Sequence, residues 1–193
     1  MNHRYIYLVF SKTGTWLSNV INIFSDTKFV HSSISFDDSF TEMYSFGRTN
    51  PNNPFSGGFV KESLHSGVYK RFKRSECMIF RVKVTEKQYY SLRKNVEEFL
   101  KDKNKYKYNL IGLFGVLLDK PIKRKNHYFC SQFVSEILIK NKVYKSSKPP
   151  ELIQTNDLFS IKNSEIIYEG FINECYLVNS RYNFIKSLII DFH

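Results

Sequence analysis

Several segments of the chain carry the hydrophobic pattern of a short β-strand, either as a run of β-forming residues or as an alternation of apolar and polar positions. These segments are Tyr5–Phe10, Phe29–Phe36, Thr41–Phe46, Glu76–Thr85, Glu165–Tyr168 and Cys175–Val178. The turn-forming residues 37–39 lie between the second and third segments and predict a hairpin. The pattern from Phe59 to Val68 is ambiguous between a strand and a helix.

Apolar residues at helical spacing predict helices between these strands. The predicted helices are Trp16–Phe24, Glu86–Leu100, Tyr108–Leu118 and His127–Asn141. Thr85 and Gln88 fit a capping box and place the start of the second helix. The third is apolar on nearly all sides, so we expect it to be buried. Because the helices are segregated from an antiparallel set of strands, the pattern indicates the α+β class.

The length of the chain, 193 residues, fits a single domain spanning 1–193. Its core is predicted at about 5–160, with C-terminal strands and a tail at 161–193; the apolar part of the tail, Phe184–Phe192, is expected to pack on the body. The N-terminus lacks the long apolar stretch of a signal peptide, and the longest apolar run is far shorter than the roughly 20 residues that span a bilayer. The expected localisation is therefore cytoplasmic, including the periphery of a membrane.

The net charge of the chain and its distribution bear on which kind of partner the protein binds. Lys and Arg number 29 against 18 Asp and Glu, a net charge of +11. The basic residues are scattered, with denser stretches only at 101–107 and 120–125, and no arginine-rich helix or finger motif is present. This distribution argues against nucleic acid and fits a solvated basic face. The alternative is that the net charge favours an anionic substrate or an anionic membrane surface.

The cysteines point to nucleophilic chemistry at one position. Cys77, Cys130 and Cys175 form no CxxC pair and no zinc spacing, which excludes a disulfide scaffold and a zinc site. Cys130 lies in the first turn of a predicted helix, after a basic loop, where a thiolate is stabilised. The competing interpretation is that Cys130 only belongs to the apolar face of that helix. Cys77 and Cys175 lie in strand patterns and are interpreted as structural.

A nucleophilic cysteine needs a base, usually a histidine. His31 begins a predicted strand, from which its ring can project towards a helix N-terminus. The alternative for His31 is a half-buried structural histidine. His127 is the second candidate base, since it lies only three residues before Cys130.

The order of these residues resembles a known family. A strand that begins near His31 is followed by a return strand ending in Tyr44-Ser-Phe-Gly47, then by Tyr108, and then by Tyr128-Phe-Cys-Ser-Gln-Phe-Val134. This order is similar to the circularly permuted NlpC-like, papain-fold cysteine hydrolases, relatives of the lecithin retinol acyltransferase group. The resemblance covers about residues 5–160. It implies a permuted papain-like fold, with an antiparallel sheet packed against helices and the nucleophile at a helix N-terminus.

The resemblance also implies roles for individual residues. Cys130 would be the nucleophile, His31 the general base, and Tyr108 an aromatic residue beside the site. The third polar member would lie on the strand after the histidine, where relatives often have Glu and the matching residue here is Ser45. This departure from the family pattern puts a neutral residue in the orienting position and supports the alternative of a fold without catalysis. If the hairpin pairs position 36 with 41, Glu42 and Tyr44 share the face of His31; if it pairs 36 with 40, Ser45 does.

The expected activity is that of a cysteine hydrolase or acyltransferase acting on an amide, ester or thioester through an acyl-enzyme. The backbone N–H of Cys130 would stabilise the oxyanion, and the loop Gly47–Gly58 would overhang the site. Peptides, other amides and lipid acyl esters are the candidate substrates, and the chemistry requires no metal or organic cofactor. The alternative is a binding module of the same fold with degenerate chemistry, which recognises an anionic ligand, a lipid surface or nucleic acid.

Overall fold

The two segments with the strongest strand pattern form the centre of an antiparallel sheet. The computed structural model describes residues 2–13, 27–49, 56–72 and 74–177. The strands of the main sheet are β1 (His3–Lys12), β2 (His31–Ser35), β3 (Met43–Arg48), β4 (Gly57–Glu62), β5 (Glu76–Thr85) and β8 (Ser164–Phe171). Their order across the sheet is β4-β3-β2-β1-β5-β8, and every neighbouring pair is antiparallel. A separate parallel pair joins β6 (Lys107–Tyr108) to β7 (His127–Tyr128).

Helices connect and cover these strands. The α-helices in the described ranges are α1 (Gly67–Arg71), α2 (Glu86–Lys101), α3 (Leu110–Leu117) and α4 (Cys130–Lys140). Short 3₁₀ segments occupy Lys103–Lys105, Pro150–Leu152, Asn156–Ser160 and Ile172–Glu174. A six-stranded antiparallel sheet with segregated helices confirms the predicted α+β class.

Most predicted strands are present with shifted ends. The ambiguous stretch 59–68 contains the end of β4 and the start of α1. Cys175 is not in a strand but follows the last 3₁₀ segment, and Val178 lies outside the described residues. The predicted helix Trp16–Phe24 and the tail Phe184–Phe192 also lie outside them.

The alternation along β1 places an apolar core on each face of the sheet. Ile6, Leu8 and Phe10 point to one face, where they pack with the apolar sides of α2 and α4. Tyr7 and Val9 point to the other face, in a smaller cluster that contains Cys77 and Cys175. Both cysteines are fully buried. The larger core fixes α4 against β2 and β3, and this packing positions the first residue of α4.

The start of α2 follows the predicted capping box. The side chain of Thr85 accepts a hydrogen bond from the backbone N–H of Gln88 at 3.2 Å, and the side chain of Gln88 accepts one from the backbone N–H of Thr85 at 2.9 Å. Two backbone donors that have no partner inside the helix are thereby satisfied.

The prediction that the apolar segment Tyr108–Leu118 is a buried helix is wrong. The helix is shorter, and α3 turns its glycines inward. A Cβ atom on Gly112 would lie 2.4 Å from the side chain of Asn109, and one on Gly115 would lie 2.5 Å from the carbonyl oxygen of Lys120. The body therefore leaves no room for side chains on that face, and bulky apolar residues face outward instead. Those at least two-fifths exposed are Ile111 (51%), Phe114 (62%), Leu117 (44%) and Leu118 (68%).

None of the helices in the described ranges combines the length and the apolarity needed to cross a bilayer.

Candidate active site

Cys130 is the first residue of α4, so its thiol lies where the helix presents unpaired backbone N–H groups. The predicted start at His127 is three residues too early, because residues 127–128 form β7 instead. The side chain of Cys130 is buried, at 4% exposure, and its Sγ lies 3.7 Å from the carbonyl oxygen of Val30. The neighbour of Val30 in the chain is His31. The packing of α4 on β2 therefore brings the thiol to the start of the histidine strand.

His31 is the first residue of β2, and the hydrogen bond and charge of its imidazole lower the pKa of the Cys130 thiol. The side chain is 20% exposed. Because it lies at the end of its strand, the ring contacts both the helix terminus and the neighbouring sheet residues. The other candidate base, His127, donates its Nδ1 proton to the backbone carbonyl of Lys125 at 2.7 Å. Of the two candidate bases, His31 is the one that affects the Cys130 thiol, and its role as the base stays a prediction.

The carboxylate of Glu62 holds the far nitrogen of the His31 ring. Nε2 lies 3.1 Å from Oε1 and 3.0 Å from Oε2, and a carboxylate can only accept, so Nε2 donates. Ser33, two residues after His31, donates its hydroxyl proton to Glu62 Oε2 at 2.7 Å. Since Nε2 is occupied in this way, Nδ1 is the ring nitrogen left to exchange a proton with the thiol.

Glu62 reaches His31 from the edge strand across two small residues. In the β3–β4 register Glu62 lies opposite Met43, Val60 opposite Ser45, and Gly58 opposite Gly47. A Cβ atom on Gly47 would lie 3.3 Å from Glu62 Oε1 and 3.7 Å from His31 Cε1. The missing side chain of Gly47 therefore leaves space in which the carboxylate and the imidazole meet.

The prediction that Ser45 or Glu42 orients His31 is wrong. The hairpin pairs Ile34 with Tyr44 and Ser35 with Met43, so Ser45 shares the face of His31 but Glu42 does not. Ser45 is fully buried and donates its hydroxyl proton to the carbonyl oxygen of Ser32 at 2.6 Å.

Glu42 and Tyr44 form a separate group on the other face. Glu42 accepts a hydrogen bond from the Tyr44 hydroxyl at 2.9 Å and pairs with Lys61 at 2.5 Å. The ring of Tyr44 stacks on Phe59 with centroids 6.4 Å apart. The face that each residue occupies follows from the register of the hairpin. The observed register differs from both of the predicted ones.

The residues that complete the site, Glu62, Ser33 and Tyr69, were not predicted from the sequence pattern. The Tyr69 hydroxyl lies 3.0 Å from the hydroxyl of Ser11, and burial together with the charge of Glu62 raises the pKa of Tyr69 well above its ordinary value. A usable signal for Glu62 exists in the sequence: it is the only acidic residue between Glu42 and Glu76.

The electrostatics of the site favour a charged thiolate and a charged imidazolium. Burial alone would raise the pKa of the Cys130 thiol, but the hydrogen bond and charge of His31, with backbone hydrogen bonds from Ser32 and Ser131, lower it below its ordinary value. Burial opposes the charge on His31, but Glu62 and Cys130 raise its pKa well above the ordinary value. Burial likewise opposes the charge on Glu62, but His31 lowers its pKa.

Cys77 provides the contrast within the same molecule. It is fully buried in β5, and burial strongly raises the pKa of its thiol. Its neighbour Cys175 raises that pKa further. Cys77 thus lacks the charge stabilisation that His31 gives to Cys130.

Tyr108 is joined to the segment that leads into Cys130. It pairs with Tyr128, two residues before Cys130, in the β6–β7 ladder. A Cβ atom on Gly57 would lie 2.6 Å from Tyr108 Cβ, so the start of β4 packs directly on this tyrosine. Burial and the neighbouring Cys130 raise the pKa of Tyr108 well above its ordinary value, so its hydroxyl remains a proton donor.

A cavity of about 890 Å³ runs along the edge strand β4 next to the site. Glu62 and Tyr69 lie on its wall, as do both described ends of the Gly47–Gly58 loop. These ends are joined by a hydrogen bond from the backbone N–H of Thr49 to the carbonyl of Ser56 at 3.0 Å. Residues 50–55 lie outside the described ranges, so the prediction that this loop overhangs the site stays a prediction.

Within residues 2–13, 27–49, 56–72 and 74–177, no group of three or more His, Cys, Asp and Glu side chains could hold a metal ion. In comparisons with known proteins, no protein-family model, curated protein or solved structure matches the chain.

Proposed function

We propose that the protein is a cysteine hydrolase or acyltransferase whose nucleophile is Cys130. The observation that carries the proposal is that the Cys130 thiol lies against Val30, the chain neighbour of His31, and that the His31 imidazole is held by the carboxylate of Glu62. Cys130, His31 and Glu62 each lie on a different element, namely α4, β2 and β4. A nucleophile, a base and a group that orients the base are the parts that covalent acyl transfer needs.

The proposed reaction begins with attack of the Cys130 thiolate on the carbonyl carbon of an amide, ester or thioester. The negative charge that develops on the carbonyl oxygen is stabilised by backbone N–H groups at the start of α4. The His31 imidazolium gives its Nδ1 proton to the leaving group, which departs and leaves an acyl group on the sulfur. Water or another acceptor, deprotonated by His31, then releases the acyl group and restores the thiolate.

Glu62 has a positioning role in this proposal. Its hydrogen bonds with Nε2 hold the ring so that Nδ1 faces the sulfur, and its charge stabilises the imidazolium. The resemblance to permuted papain-like hydrolases leads to the same roles for Cys130 and His31. The rival function is a binding module with degenerate chemistry. Its support was the neutral residue Ser45 in the orienting role, and the contact of the Glu62 carboxylate with His31 removes this support.

Acylation of the protein by simple activated esters and thioesters tests the proposal directly. The wild type, mixed with an aryl acetate, is expected to gain one acetyl mass that peptide mapping locates on Cys130. Cys130→Ser should lose this adduct, and the matched control Cys77→Ala should keep it. An adduct on Cys77, or an equal rate of adduct formation in His31→Ala, would contradict the proposed mechanism.

A further inference from the structure

The outward face of α3 is an apolar surface. Ile111, Phe114 and Leu118 recur at helical spacing and are 51%, 62% and 68% exposed. No charged residue occurs from position 110 to 118. An apolar stripe of this kind on the surface of a soluble fold marks a place where something else binds.

A basic segment is fixed along the same helix. Lys120, the first basic residue after α3, donates its backbone N–H to the carbonyl of Gly115 at 2.9 Å. Further on, the carbonyl of Ile122 accepts a hydrogen bond from the Asn109 side chain at 3.3 Å. Asn109 also caps α3 by accepting from the backbone N–H of Gly112 at 3.0 Å. The helix and the basic segment that follows it are therefore one preorganised unit.

The cations of this segment are directed to the surface. Lys120, Lys123 and Lys125 are exposed, and Arg124 is partly exposed. They follow the exposed apolar stripe within a few residues. Apolar side chains next to a row of lysines and arginines match the chemistry of an anionic bilayer, in which acyl chains lie below negatively charged headgroups.

Both ends of this unit are attached next to the nucleophile. The parallel pairing of β6 with β7 closes the loop that contains it, with Tyr108 opposite Tyr128. Cys130 follows Tyr128 by two residues. The charge of Cys130 contributes to the raised pKa of Tyr108. A surface bound through α3 would therefore lie within a short distance of the thiol.

We propose that residues 109–126, called the docking loop here, attach the protein to anionic membrane surfaces. The exposed apolar side chains of α3 enter the boundary between headgroups and acyl chains, and the basic segment pairs with lipid phosphates and carboxylates. Binding needs neither a thiolate nor turnover, so the proposal stands independently of the acyl chemistry.

A bilayer fits this surface better than a protein partner does. Protein interfaces are depleted in lysine, whereas here the lysines border the apolar stripe on a solvent-directed loop. The net charge of +11 adds a long-range attraction towards any anionic surface. Near such a surface each lysine or arginine strengthens binding about fivefold.

Sedimentation with vesicles tests the docking loop on the full chain. The wild type is expected to sediment with vesicles of phosphatidylcholine mixed with phosphatidylserine and to remain in solution with phosphatidylcholine alone. Phe114→Gln should weaken binding about tenfold, whereas Ile166→Gln, an equally exposed apolar residue on β8, should not. Lys120→Gln with Lys125→Gln should weaken it more than tenfold, and Lys87→Gln with Lys94→Gln, which removes the same charge from α2, should have a small effect.

Further outcomes separate this proposal from the proposed function. Cys130→Ala should bind vesicles as the wild type does, and Phe114→Gln should form the acyl adduct with a soluble ester at the wild-type rate. Absence of vesicle binding by the wild type, or equal losses in the test and control variants, would overturn the docking loop. A dimer that Phe114→Gln dissociates, found together with no vesicle binding, would assign the surface to a second copy of the chain and would also overturn it.

Discussion

At the scale of residues, the pKa values of Cys130 and His31 depend on each other and on Glu62. A buried thiol alone has a raised pKa, as Cys77 shows, and a buried imidazole alone has a lowered one. In this site His31 lowers the pKa of Cys130, and Cys130 raises the pKa of His31. Both effects oppose the shift that burial alone produces. Glu62 adds a fixed negative charge on the far side of the ring, which favours the proton on His31 over the proton on the sulfur.

The first prediction concerns Glu62 compared with Glu42. In Glu62→Gln the imidazolium loses its carboxylate, so the pKa of His31 falls, the thiolate loses part of its stabilisation and the pKa of Cys130 rises. We expect alkylation of Cys130 at neutral pH to slow by about tenfold, corresponding to about 1.4 kcal/mol. The measurement is the rate of iodoacetamide labelling, located by mass spectrometry.

The control is Glu42→Gln, which removes the same charge from the other face of the sheet. It should leave the labelling rate of Cys130 unchanged. A slower rate in Glu42→Gln with a normal rate in Glu62→Gln would assign the orienting role to Glu42 after all.

A second prediction separates structure from chemistry at Ser45. Its hydroxyl donates to the carbonyl of Ser32 inside the sheet, so Ser45→Ala should lower the free energy of unfolding by about 1 kcal/mol. The midpoint of the pH profile of Cys130 labelling should not move. Denaturant unfolding and the same labelling assay check both parts; a shifted midpoint without loss of stability would place Ser45 in the site.

At the scale of elements, each catalytic candidate is placed by an element with its own reason to form. The apolar face of α4 packs in the larger core, and this fixes its N-terminus at Cys130. The pairing of β2 with β1 sets His31 opposite Ser11. β4 is an edge strand of the sheet. From this strand the side chain of Glu62 extends past Ser45 and Gly47 to His31.

The third prediction tests one element away from the site. Thr85→Ala removes the capping box of α2 and should lower the free energy of unfolding by about 1 kcal/mol. Ser91→Ala, in the exposed middle of the same helix, should have little effect or stabilise slightly, because alanine has the higher helix propensity. Denaturant unfolding followed by circular dichroism compares the two; equal losses would show that the cap contributes nothing.

At the scale of the whole molecule, the pair of Glu62 and His31 links stability to pH. The pKa of Glu62 is lowered from 4.5, so its contribution is fully present above pH 4.5 and is lost as the pH falls through its folded pKa. The pKa of His31 is raised from 6.5, so its contribution is fully present below pH 6.5 and is lost as the pH rises through its folded pKa. The joint contribution is therefore greatest between these two values.

The fourth prediction follows from that window. Glu62→Gln should cost about 2 kcal/mol of unfolding free energy between pH 4.5 and 6.5. The difference from the wild type should shrink at more acidic pH, where Glu62 becomes protonated, and at alkaline pH, where His31 becomes neutral. Urea unfolding of both proteins across this range provides the measurement, and a difference independent of pH would contradict the linkage.

Local signals in the sequence predicted what is local in the fold. The alternation of β1 and β5, the capping box at Thr85 and the helix that contains Cys130 depend on neighbouring residues, and each could be identified. Glu62 could not, because its contact with His31 depends on two strand registers and on the small size of Ser45 and Gly47. The exposure of α3 was missed for a similar reason, since two glycines reverse the face that packs on the body.

The most direct test of the account is the pH dependence of Cys130 alkylation in the wild type and in His31→Ala. In the wild type the hydrogen bond and charge of His31 lower the pKa of the thiol from 9.0, so the midpoint of labelling should lie below that of an ordinary thiol. In His31→Ala burial remains without the imidazolium, so the midpoint should move to alkaline pH, towards or above 9.0. Coincident profiles in the two proteins would contradict the assignment of Cys130 and His31 as a nucleophile and its base.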